Sequence, residues 1–102
     1  MPVSFTLDSG VTLNREFPDT FEIPPLHARE NLEEGDLVKL IFCIEVERII
    51  YRERMWVVVK RVLPEYFIGR LDNDPGCTNE IKSGMEIHFH SDHVIQIWPG
   101  AP

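Results

Sequence analysis

Near the C-terminus His88, His90 and His93 stand in an H-x-H-x-x-H pattern. On a strand, side chains two apart share a face roughly 7 Å from one another. His88 and His90 can then reach one metal ion, and His93, after a turn, can supply a third nitrogen. The wet face of a surface strand explains the pattern more simply, because structural zinc sites usually bring paired cysteines or a helical histidine pair, and only one thiol, Cys77, lies nearby. Asp72 and Asp74, with Asn73 between them, are a second candidate. With His88 and His90 they would make a metal-dependent hydrolytic enzyme, the alternative function for this chain. A calcium loop would need more oxygen ligands and a distal Glu in register, and Asp-Asn-Asp-Pro-Gly is already ordinary turn chemistry. No nucleophile elbow, phosphate loop, dinucleotide fingerprint or H-E-x-x-H motif occurs. Catalysis has no positive support, and no cofactor is expected.

A third constellation is Arg54, Trp56, Tyr66, Arg70 and Asp72, which a single hairpin can place on one exposed face. A half-exposed aromatic among arginines is the type of surface that anchors a protein or peptide partner. The leading expectation is therefore a non-enzymatic binding or regulatory module using the Trp56 face.

That hairpin is the stretch the chain is built around. Met55 to Val62 and Tyr66 to Leu71 are apolar runs rich in β-branched and aromatic residues on either side of Leu63-Pro64-Glu65, and the second ends in a dense turn signal. The odd residues Met55, Val57, Val59 and Leu63 are expected in the core, with Trp56 on the half-exposed face beside Lys60. Gly69 marks a bulge or a close approach.

The 102 residues suffice for one domain, and 43% hydrophobic with 10% aromatic content argues for a folded chain. A net charge of -7 opposes attraction to nucleic acid or an anionic membrane. The charge is uneven: residues 1–47 hold ten acids and three bases, whereas residues 48–70 hold six bases and two acids. Neither a leader peptide nor an apolar run of membrane-spanning length stands out, so a cytoplasmic monomer or small homo-oligomer is expected. Cys43 and Cys77 make no disulfide framework.

In chain order, Val3, Phe5 and Leu7 alternate, Asp8-Ser9-Gly10 offers a turn and Val11 and Leu13 resume, which predicts a hairpin. Three prolines between Arg15 and Pro25 predict an extended connection. Pro25 suits the first turn of a short helix with Leu26 and Leu32 inward and Gly35 as its stop. Val38, Leu40, Phe42, Ile44 and Val46 share one face of a long strand, and Cys43 is expected as a small interior residue on the other. A wide connection is expected over Glu47–Arg52. Met85, Ile87 and Phe89 alternate with Glu86, His88 and His90, Ser91-Asp92-His93 allows one tight turn, and Val94–Trp98 forms a last short strand.

This order predicts a single mainly β domain, with residues 1–34 as an N-terminal extension and residues 35–98 as a small SH3-like β-barrel. Five short strands with a tight turn before the last can close over one core without exposed edges. An α+β roll is the alternative. The segments Leu32–Phe42, Glu53–Val57, Gly69–Pro75 and Gly84–Phe89 resemble the YegJ-like group of small bacterial proteins of unknown function, over about residues 32–97 in the manner of a motif match. The resemblance implies a bacterial domain with no established reaction or ligand.

Overall fold

Alternating burial along Leu37–Val46 sets the sheet: Val38, Leu40, Phe42 and Ile44 are sealed on one face. The computed structural model describes residues 3–100. They form a mainly β structure, six antiparallel strands in one curled half-barrel sheet. The strands are β1 (Val3–Leu7), β2 (Leu37–Val46), β3 (Ile49–Val62), β4 (Phe67–Leu71), β5 (Glu86–Phe89) and β6 (Gln96–Ile97). Two short helices, α1 (Gly10–Glu16) and α2 (Leu26–Glu30), precede β2, and a 3-10 turn, Ser91–His93, precedes β6. The spatial order is β1-β2-β3-β4-β5, and β6 returns to pair with β2 where β1 leaves off. No helix among the described residues is long and apolar enough to cross a membrane.

Met55, Val57 and Val59 of β3 do face inward, where they meet the even residues of β2, Phe67 and Leu71 of β4, and Ile87 and Phe89 of β5, whereas Leu63, expected with them, lies past the end of β3 and is only half-buried. Leu32, Ile81 and Val94 close the ends of this core. Burying a side chain of this size contributes roughly 1.5–3 kcal/mol, so one continuous apolar face is the main source of stability. Leu63 donates its N–H to the Tyr66 carbonyl at 3.0 Å, which closes the Pro64-Glu65 turn expected between β3 and β4.

Three local expectations need correction. Val11–Leu13 do not return beside Val3–Leu7. Ser9 caps α1 instead, its hydroxyl accepting the Thr12 N–H at 3.1 Å, and β1 takes the distant β2 as its partner. The helix begun by Pro25 ends at Glu30, not at Gly35, and Leu26 points outward at 52% exposure, so only Leu32 enters the core. The wide connection over Glu47–Arg52 is a two-residue turn: Glu47 (φ 50°) and Arg48 (φ 70°) both adopt positive φ, and Ile49 already pairs with Val46. This is the turn geometry whose twist matches the flanking strands.

The segment from α1 to α2 crosses the outer face of the sheet. Ile41 is on that face yet only 4% exposed, because Leu13, Phe17 and Phe21 gather around it. Arg29 fixes the far end of this strap, donating from Nε to the Pro24 carbonyl at 2.8 Å and from Nη1 to the Ser91 carbonyl at 3.1 Å.

Candidate functional site

The outer face of β2 and β3 is read off their register. Ile41 stands opposite Arg54, Lys39 opposite Trp56, and Leu37 opposite Val58. β4 continues the rows, with Arg70 beside Val58, and Asp72 donating its N–H to the Trp56 carbonyl at 2.9 Å. Arg54, Trp56, Arg70 and Asp72 therefore share one face and one end of the hairpin.

Trp56 is half-buried there and its neighbour is Lys39, not Lys60. The Lys39 ammonium lies 4.7 Å from the indole centroid, a cation–π contact. β6 supplies what was missed from the sequence. Trp98 donates its N–H to the Leu37 carbonyl at 2.8 Å, and this places its ring edge-on to Trp56, with centroids 5.8 Å apart and planes at 89°. Trp98 remains 52% exposed. The alternation of residues 94–98 signals a strand but cannot say which strand it joins. Arg54 rests its guanidinium on Phe21 of the strap, 5.4 Å from the ring centroid. Thr20, Phe21, Lys39, Arg54 and Gln96 then border a cleft of about 270 Å³. Among the described residues, Lys39, Arg54 and Arg70 have no carboxylate within ion-pair distance.

Tyr66 lies elsewhere. It follows the Pro64-Glu65 turn, and Trp56 is seven residues back along β3 from Leu63, roughly 23 Å of extended chain. Tyr66 stacks on His88 at 5.6 Å and leans on His90 at 6.3 Å. His88 and Glu86 are joined at 2.7 Å, and His90 Nδ1 lies 3.0 Å from the Glu65 carbonyl. His93 uses Nδ1 to accept the His90 backbone N–H at 2.9 Å. Burial holds the His93 pKa below its ordinary value, helped by the charge on His90 and opposed by Asp92.

Asp72 and Asp74 do not meet the histidines. Asp74 accepts the Ser83 N–H at 2.8 Å within its own loop, while Asp72 belongs to the Trp56 row. Among the described residues, no three His, Cys, Asp or Glu side chains form a group able to hold a metal ion. Cys43 is half-buried on the outer face opposite Arg52, not inside the core. Burial pushes the Cys77 thiol up to about 11, reinforced by its hydrogen bond to Glu53, so the nucleophilic thiolate is disfavoured. Burial also acts to raise the Glu53 pKa, yet hydrogen bonds from Cys77 and Gly76 outweigh it and bring it below the usual value.

The most developed arrangement is thus the Trp56–Trp98 pair with its surrounding cations. No known protein family, curated protein or solved structure matches this chain.

Proposed function

We propose that this chain is a non-enzymatic binding module, gripping an acidic segment of a protein partner with the Trp56–Trp98 face. The observation that carries the reading is an exposed indole, Trp98, seated edge-on against a second, half-buried one, with Lys39, Arg54 and Arg70 around the pair and free of carboxylate partners among the described residues. Tryptophan and arginine dominate binding hot spots because they bring large contact area and directed donors at low entropic cost. Asp72 at the rim favours a partner with a donor beside its acids.

For the body of the molecule we propose an SH3-like barrel. The meander β2 to β5, the 3-10 turn and the return of β6 to β2 support it. The segments that resemble the YegJ-like group include parts of β2, β3, β4 and β5, and we propose a cytoplasmic bacterial module that acts as a monomer or small homo-oligomer.

Affinity capture with wild type, Trp98→Ala and Arg70→Glu as baits tests the reading, each bait first shown to melt like wild type. Proteins held by wild type should be lost from both variants. Equal recovery of every protein from all three baits overturns it.

A further inference from the structure

Half of β3 has a partner on one side only. β2 pairs with it from Ile49 to Val58, whereas β4 joins its other side only from Val57 onward. Residues of an antiparallel strand direct their N–H and C=O groups alternately to either side. Trp56 marks the phase: its N–H donates to the Asn73 side chain and its carbonyl accepts from Asp72, both on the side away from β2. Ile50, Arg52 and Arg54 share that phase. Their outward N–H and C=O groups meet no partner among the described residues, and all three side chains are exposed.

We propose that this edge, Ile50–Arg54, receives an extended acidic segment of the partner as an added antiparallel strand. The proposal rests on the partner reading above and supplies its binding mode. Main-chain hydrogen bonds give such additions their affinity and alternate side chains their selectivity. Ile50, Arg52 and Arg54 all project to the outer face, so the added strand presents two acids and one apolar residue at alternate positions, each about 5 Å from its opposite number. Arg52 bonds Asp8 through Nε at 3.1 Å and keeps its other guanidinium donors for the newcomer. Arg52 and Arg54 also border a cleft of about 330 Å³ floored by Leu13, Phe17 and Ile41, which offers room for an apolar group.

A second copy of this chain is a poorer occupant. In the two-fold register that uses all three outward residues, Arg52 stands directly opposite Arg52 of the other copy, and like charges so placed destabilise the pairing. The arginines thus guard the edge against self-association while favouring carboxylates.

The test uses the full chain and an acetylated, amidated heptapeptide, Thr-Glu-Thr-Glu-Thr-Val-Thr, with a control in which both Glu are Lys. Amide exchange is followed by NMR at Ile50, Arg52 and Arg54. The free protein should exchange rapidly at all three, and saturating acidic peptide should slow them about tenfold or more. The Lys peptide should leave them unchanged. Arg52→Pro removes an outward N–H and no β2–β3 bond, so it should abolish protection at Ile50 and Arg54 while the melt stays close to wild type. If that variant unfolds, Arg52→Glu combined with Arg54→Glu replaces it and should bind the Lys peptide instead.

Protection already present in the free protein, with a dimer in sedimentation, assigns the edge to a second copy and overturns the proposal. Spectral shifts confined to Trp56 and Trp98 overturn the strand mode but leave the indole reading standing. Protection at the edge together with undiminished partner capture by the Trp98→Ala bait sinks the indole reading and keeps the edge. No shift from the acidic peptide anywhere overturns the proposal outright.

Discussion

Among the described residues Arg29 is the one charged side chain taken into the interior, 6% exposed, with the Asp92 carboxylate 3.6 Å from Nη1. Its donors satisfy the carbonyls of Pro24 and Ser91, so removing the guanidinium leaves acceptors in a site that water reaches poorly. Arg29→Met should cost about 2–3 kcal/mol in urea unfolding. Arg29→Lys should recover little of it, since an ammonium cannot span both carbonyls in one plane. His93 makes a separate prediction. Its folded pKa is held below the ordinary 6.5, and only the neutral ring can accept the His90 N–H through Nδ1. The unfolded chain therefore takes up the proton first, and stability is lost as pH falls from 6.5 toward the lower folded value. Thermal melts should be level above pH ~7 and decline as pH falls below about 6.5. His93→Gln, which keeps an acceptor, should flatten that decline. Glu53, whose folded pKa is also depressed, acts in a different window: its stabilisation is present above its ordinary 4.5 and is lost as pH falls below it.

At the scale of elements, β3 against β4 is held by what Gly69 lacks. A Cβ there would sit 2.5 Å from Val57 Cγ1 and 2.6 Å from the Val58 carbonyl oxygen, opposite the register shift between Val59 and Arg61. Gly69→Ala should destabilise by about 1–3 kcal/mol, at the upper end because a ladder carbonyl cannot step aside. The β2–β3 turn works in the other direction. Glu47 and Arg48 both occupy the left-handed region, which suits Asn and Gly better, so Glu47→Asn with Arg48→Gly should stabilise by roughly 0.5–1 kcal/mol in the same assay. Gly69 as a close approach, the inward odd residues of β3 and the alternation of β2 were all legible in the sequence, because each depends on neighbours within one strand or hairpin. The Glu47-Arg48 turn was not, since neither residue advertises positive φ. Nor was the helix after Ser9, where Asp8-Ser9-Gly10 serves a cap as readily as a hairpin. The candidate site was half legible. A single hairpin register placed Arg54, Trp56, Arg70 and Asp72 together, but Trp98 reaches Trp56 through a pairing of β6 with β2, segments about sixty residues apart, and Lys39 through a β2–β3 register fixed by the unrecognised Glu47-Arg48 turn. Tyr66 was put on the wrong end because the distance along a fourteen-residue β3 was not counted.

The whole molecule depends on its first third more than a division into extension and barrel suggests. β1 lies along β2 from Val46 to Phe42, and Val3, Phe5 and Leu7 pack against the core. Leu32 is inside it at 4% exposure, the strap shields Ile41, and Arg29 ties the strap to the 3-10 turn. Leu32 alone contributes roughly 1.5–3 kcal/mol, and Phe5 with its neighbours adds several more. A domain of this size holds only about 5–15 kcal/mol in total. A chain cut to residues 35–102 would also bury a smaller fraction of its surface and bare the β2 edge as a template for further strands. It should show no cooperative melt by circular dichroism at 25 °C, or should associate through that edge. Supplying residues 1–34 as a separate peptide should restore a cooperative transition whose midpoint rises with peptide concentration, because ligand that binds only the folded form stabilises it by mass action. A fragment 35–102 that melts cooperatively as a monomer, within a few degrees of the full chain, would show that the first third is an appendage and that the sheet closes without β1.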